Sequence, residues 1–208
     1  MLSNKAYEPQ RGKIHKKYFK NALLDSAKTI EFRINLINHY SKKCDTIPTI
    51  AISDKGKYYK YEQDKIKIKS KNTFIMEDFI PIAKTLTFLN NNNFIHGDLN
   101  LKNIKWTNEG FRLLDFEPSL KQLKHNRECY MITKPYYSSI DMQQNYLSSL
   151  TDKIGFIFFM LRSLNKITIT QIVEFAKKRN FKQYIGFFEE DLLELNYYGL
   201  LEKIYNQK

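Results

Sequence analysis

Apolar residues recur at helical spacing over residues 22–40, where Leu23, Ala27, Ile30, Ile34 and Ile37 line one face of an amphipathic helix. Upstream, Ile14-His15-Lys16-Lys17-Tyr18 alternates as a strand does, with Ile14 and Tyr18 inward, which puts Lys16 inward and Lys17 outward. Residues 47–79 read as strands. Tyr58–Tyr61 and Lys65–Lys69 flank a Glu62-Gln63-Asp64 turn, and Lys65, Lys67 and Lys69 alternate with Ile66 and Ile68. Such alternation suits the wet face of a small sheet, an edge guarded against mispairing, or a phosphate-binding patch. A short helix is expected from Pro81, with Ile82, Leu86 and Leu89 on one face. Ile104–Trp106 and Phe111–Leu114 read as a β-hairpin turning at Thr107-Asn108-Glu109-Gly110. The apolar run within 151–161 predicts a core helix, and the apolar positions from 168 onward predict two or three closing helices.

Composition narrows the class. At 208 residues the chain can bury one substantial core, or two small lobes sharing a cleft. A hydrophobic content of 42%, with 15 Phe and 14 Tyr, belongs to a folded protein rather than a disordered one. The longest apolar stretch, Phe156 to Leu161, is far too short to span a bilayer. Two cysteines, Cys44 and Cys129, provide neither a disulfide framework nor a tetrahedral metal set. With no apolar signal core in Met1-Leu2-Ser3-Asn4-Lys5, a reducing, cytoplasmic setting is the expectation, and export without a readable signal stays open. The formal charge is +12. Its lysines are spread through the chain among many Asn and Ile, so compositional bias explains them as readily as a nucleic-acid, membrane or acidic-partner surface does.

Candidate chemistry is concentrated in Ile95-His96-Gly97-Asp98-Leu99-Asn100-Leu101-Lys102-Asn103 and Leu113-Leu114-Asp115-Phe116-Glu117. The intervening hairpin would bring Asn103 and Asp115 together at its open end, with Asp98 on the loop that enters it. Phosphoryl transfer from ATP needs such a set: two oxygen ligands for Mg²⁺ on the phosphates, and a separate carboxylate to orient the attacking hydroxyl.

These residues resemble the protein-kinase-like superfamily, whose catalytic loop reads H-[RG]-D-x-x-x-x-N and whose metal motif is D-F-G. The resemblance implies Asp98 as catalytic base, Asn103 and Asp115 as metal ligands, and Lys102 as a cation beside the transferred phosphate. Pro135-Tyr136-Tyr137-Ser138-Ser139-Ile140-Asp141 resembles the close of an activation loop, P-x-Y-x-A-P-E. Thr151 to Leu161 resembles the buried helix beyond, whose leading acid, here Asp152, braces the catalytic loop. Lys16 would be the ATP lysine, with Lys17 the other candidate, and Glu31 its ion-pair partner. Thr73–Phe79 resembles the last small-lobe strand, with the backbone of Glu77, Asp78 and Phe79 meeting adenine.

The implied fold is a two-lobed α+β kinase-like domain. Its reduced small lobe, one antiparallel sheet and one helix, covers residues 1–76; 77–81 form the hinge and 82–208 a mainly helical large lobe. ATP and Mg²⁺ are the implied cofactors. The acceptor would be a hydroxyl, of protein Ser or Thr given the Pro135–Asp141 segment, or of a sugar, lipopolysaccharide or other small molecule given H-G-D. Beside Asn100, where Ser/Thr kinases keep a Lys, and Glu117 in place of the D-F-G glycine, two features depart from the family. No glycine-rich phosphate loop is present, because Gly12 is the only glycine before Gly56. Gly97 also stands where an Arg would read an activation-loop phosphate. The first departure keeps a third reading alive, a kinase-shaped module that binds a regulatory partner. A nucleic-acid role rests on charge alone.

Overall fold

In the computed structural model, residues 13–19, 26–97, 99–116, 149–178, 186 and 191–206 are described. Among them the chain is mixed α+β, with two small antiparallel sheets and several helices. The first sheet takes β1 (Lys13–Phe19), β2 (Ile50–Asp54) and β3 (Tyr58–Asp64) in the order β1-β3-β2. Helix α1 (Ser26–Ser41) joins β1 to β2 and packs on β2. Tyr59, Tyr61 and Gln63 of β3 are buried, as is Ile50 of β2, while intervening residues are more open. Asn38 of α1 ties helix to sheet: its amide donates to the Ile50 carbonyl and its Oδ1 accepts from Ile50 N–H at 2.8 Å.

The turn into β3 lies earlier than expected. Glu62, Gln63 and Asp64 complete β3, and the chain reverses instead at Lys55–Lys57, with Gly56 at φ +72°. Asp54 Oδ1 accepts from Gly56 N–H at 2.8 Å and Lys55 N–H donates to Tyr58 O at 2.9 Å. That Asp-Lys-Gly chemistry fixes the hairpin, whereas the polar Glu62-Gln63-Asp64 run merely imitates a turn. Lys65–Lys69 consequently form no strand; they belong to a connector running from β3 to the next helix.

That helix, α2 (Met76–Asn91), begins ahead of Pro81 and overturns the strand expected at Thr73–Phe79. Asp78 caps it, accepting from Ile75 N–H at 2.9 Å, and Glu77 and Asp78 place negative charge at the positive end of the helix. Phe79, Ile82, Ala83, Leu86 and Leu89 form its buried face. Hairpin β4 (Ile104–Thr107) and β5 (Gly110–Leu113) forms as expected, with Gly110 at φ +94°. Helix α3 (Ser149–Ser163) is buried from Leu150 to Leu161, and α4 (Ile169–Lys178), α5 (Asp191–Glu194) and α6 (Tyr197–Tyr205) follow. Helix α2 packs on α6, β5 and α3, with Phe79, Phe111 and Phe159 meeting at ring distances of 5.0–5.8 Å.

The two parts of the chain are clasped at Thr46, just before β2. Its carbonyl accepts from Leu113 N–H at 2.8 Å, its hydroxyl meets that of Thr85 in α2 at 2.5 Å, and Arg112 bonds the Asp45 carbonyl. These bonds tie the residues just before β2 to the strand that leads into Asp115.

Candidate active site

The loop from Phe94 to Asn103 is fixed by buried polar groups. Asp152, in the first turn of α3 and only 3% exposed, accepts from His96 N–H on Oδ2 and from Gly97 N–H on Oδ1, each at 2.7 Å. The expected brace is therefore present. Gly97 stands at φ +80°, where a side chain would strain the backbone, so this turn favours glycine independently of any phosphate-reading role. His96 is fully buried, with its Nε2 2.8 Å from the Leu114 carbonyl and its ring 4.7 Å from that of Phe116. His96 is thus a packed loop histidine. Tyr197 of α6 is buried with its ring 5.6 Å from that of Phe156 in α3, and burial, then the nearby Asp152 charge, push its phenol well above the usual range.

Downstream, Asn100 builds the turn. Its Oδ1 accepts from Lys102 N–H at 2.8 Å, and its carbonyl accepts from Asn103 N–H at 2.9 Å and from Ile104 N–H at 3.0 Å. The sequence marked Asn100 only as the position where Ser/Thr kinases keep a Lys. An Asn that bonds backbone two residues on is the signal that could have found its role. Asn103 is buried, Lys102 exposed.

The hairpin brings Asn103 opposite the residue that precedes Asp115. Leu114 N–H donates to the Asn103 carbonyl at 2.7 Å, continuing the β4–β5 ladder and setting Asp115 beside the end of the loop. Asp115 is exposed and stands at φ +57°, between half-buried Leu114 and fully buried Phe116. Non-glycine residues seldom take that conformation; Asp and Asn tolerate it best. Buried Phe116 and the His96 contact to Leu114 hold the backbone on either side. One carboxylate and one carboxamide are hard oxygen donors, suited to a Mg²⁺ that keeps its remaining positions for water and phosphate. Among the described residues no group of three or more His, Cys, Asp or Glu gathers as a metal cage.

Position 16 of β1 lies opposite Tyr61 and position 17 opposite Lys60. Directly opposed residues of an antiparallel ladder share a face, so position 16 falls on the face of buried Tyr59, Tyr61 and Gln63, and position 17 on the other. This agrees with the alternation that chose Lys16 over Lys17. Glu31 lies on α1 as expected. Glu77, Asp78 and Phe79 are coiled into α2, with Phe79 buried and Asp78 held by Lys71 at 2.6 Å. The adenine contact assigned to them loses the extended backbone on which it rested. Asp98 and the Pro135–Asp141 segment lie outside the described residues.

Helix α3 meets the loop at Gly155. A Cβ added to Gly155 would lie 2.6 Å from the Leu99 carbonyl oxygen and 2.7 Å from Leu99 Cβ. Neither neighbour is a flexible tip, so one element must shift. Gly155→Ala is expected to destabilise the protein by about 1–3 kcal/mol despite the better helix propensity of Ala. It should also shift the amide resonances of residues 96–100 in a two-dimensional NMR spectrum; an unshifted spectrum with an unchanged melt would refute the contact.

No family model matches the chain, and no curated protein matches it.

Proposed function

We propose that this chain is an ATP- and Mg²⁺-dependent phosphotransferase acting on a hydroxyl, built as a reduced two-lobed kinase-like domain. The observation that supports the reading is the meeting of three motif segments: Asp152 grips His96 and Gly97, and the Leu114 N–H, one residue before Asp115, bonds the Asn103 carbonyl. The preceding sheet and helix, with position 16 on the covered face, and the helical remainder fit the two lobes.

In this reading Asp98 orients the acceptor hydroxyl and takes its proton as the γ-phosphoryl group leaves ADP. Asn103 and Asp115 hold Mg²⁺, which when bound neutralises charge on the phosphates. Lys102 and Lys16 add cations to the same end, with Glu31 as partner of Lys16. A protein Ser or Thr is the favoured acceptor, on the strength of the Pro135–Asp141 segment; a sugar, lipopolysaccharide or other small molecule is the alternative. The deciding experiment incubates the pure protein with γ-labelled ATP and cell extract. Label in protein, in lipid-linked sugar or in small molecules identifies the acceptor, and no transfer overturns the enzyme reading in favour of a kinase-shaped binding module.

The missing glycine-rich loop sets an expectation for affinity. A few lost phosphate hydrogen bonds, at about 1.5–3 kcal/mol each, move a micromolar site to roughly 0.1–1 mM. Calorimetry with Mg-ATP on the lone chain should find that weak range. Low-micromolar binding would mean that the phosphates are covered after all.

A further inference from the structure

We propose that the connector between β3 and α2 is a contact surface for an anionic membrane face, an inference independent of the phosphotransfer reading. Residues 65–76 carry four lysines and no acidic residue. Lys71 is already engaged, bound to the Asp78 carboxylate at 2.6 Å and lying 4.4 Å above the Trp106 ring. Lys65, Lys67 and Lys69 are exposed, and among the described residues no salt bridge engages any of them. Between them Ile68 is 62% exposed, and Ile75 at the far end is 49% exposed; these are two of the four large hydrophobic side chains exposed among the described residues.

The exposure does not belong to a loose end. Lys69 N–H donates to the Trp106 carbonyl at 2.9 Å, and the Phe74 ring packs edge-on to Trp106 at 5.5 Å and stacks on Phe111 at 5.2 Å. The connector's one aromatic residue, Phe74, therefore faces the protein, whereas Lys65, Lys67, Lys69 and Ile68 are exposed. A nucleic-acid surface would present aromatic rings for base stacking, which this one turns inward. An acidic protein would match the lysines but leaves an outward isoleucine unexplained. An anionic bilayer satisfies both, with headgroup charge for lysine and the acyl boundary for isoleucine. Among the described residues no helix is long and apolar enough to cross a membrane, so the contact proposed is peripheral.

The test uses the full chain in vesicle co-sedimentation, on phosphatidylcholine alone and with about one-third phosphatidylglycerol. Binding is expected only to the anionic vesicles and should fall steeply at about 0.5 M salt, where screening shortens the reach of charge. At about fivefold per lysine, Lys65→Gln/Lys67→Gln/Lys69→Gln should weaken partition roughly 100-fold. Ile68→Ser, which leaves the charge unchanged, should cost about tenfold. Thermal melts check that each variant is folded. A control triple, Lys42→Gln/Lys57→Gln/Lys203→Gln, removes equal charge elsewhere and should cost far less. Equal losses in the two triples would show a net-charge effect and overturn the proposal, as would absent or salt-insensitive vesicle binding. Tighter binding to polyglutamate or RNA, unaffected by Ile68→Ser, would assign the strip to an acidic macromolecule instead.

Discussion

Asp152→Ala is expected to lower stability by about 3–5 kcal/mol and to shift the melting temperature down on the order of 10 °C for a chain of this size. The carboxylate is 3% exposed and both of its oxygens accept backbone N–H groups, from His96 and Gly97 at 2.7 Å. Alanine leaves two buried donors without that acceptor, at about 1–3 kcal/mol each, and opens a void under the loop. A domain stable by only about 5–15 kcal/mol feels such a loss strongly. Asp152→Asn separates bond from charge. Its single amide oxygen can keep one of the two N–H groups, while its NH₂ group must face the other, so its melt should fall between wild type and Ala. Hydrogen exchange at the His96 and Gly97 amides gives the local readout, with protection falling in the order wild type, Asn, Ala. An Ala variant that melts within about 2 °C of wild type would show that the loop holds itself.

Local patterns made the hairpin and the buried helix legible. Ile104–Trp106 and Phe111–Leu114 carry a turn ending in glycine between two apolar runs, and the observed strands differ by one residue at three of their four ends. The apolar run after Asp152 could only be a core helix, which it is. The misread stretch, 62–79, offers competing periods. Alternating Lys and Ile in 65–69 satisfies a strand pattern, yet β3, which it follows, already has both edges paired, by β1 and by β2 across the turn that Asp54 and Gly56 set. Thr73–Phe79 mixes apolar and polar residues at a period too short to separate strand from helix, and the carboxylate of Asp78 on Ile75 N–H tips it to helix. The Thr46 clasp and the Gly155–Leu99 approach join residues far apart in sequence, and neither leaves a local pattern. Gly155 left one indirect sign, since a glycine inside a buried helix costs about 1 kcal/mol against Ala and calls for a packing reason.

On the phosphotransfer reading, the two acidic residues of the motif fail differently when replaced. Asp98→Ala should lower the rate by about 10²–10⁴-fold while Mg-ATP binding stays close to wild type, because a general base acts in the reacting complex rather than in nucleotide capture. Replacing Asp115 should abolish transfer and also weaken Mg-ATP binding, because a ligand oxygen leaves the metal. Alanine alone is an ambiguous probe there. Position 115 stands at φ +57°, a conformation that costs an ordinary residue about 1–2 kcal/mol, so Ala would strain the backbone as well as remove the ligand. Asn tolerates that conformation and keeps an amide oxygen while removing the charge, so Asp115→Asn isolates the electrostatic part. The measurement pairs single-turnover rates with calorimetric titration of Mg-ATP on wild type, Asp98→Ala, Asp115→Ala and Asp115→Asn. Weakened binding in both Asp115 variants but not in Asp98→Ala would separate capture from chemistry between the two residues. If both Asp115 variants bound Mg-ATP as wild type does, the exposed carboxylate beside buried Phe116 would not be a metal ligand. The positive φ at that position would then serve only to seat the Phe116 ring against His96.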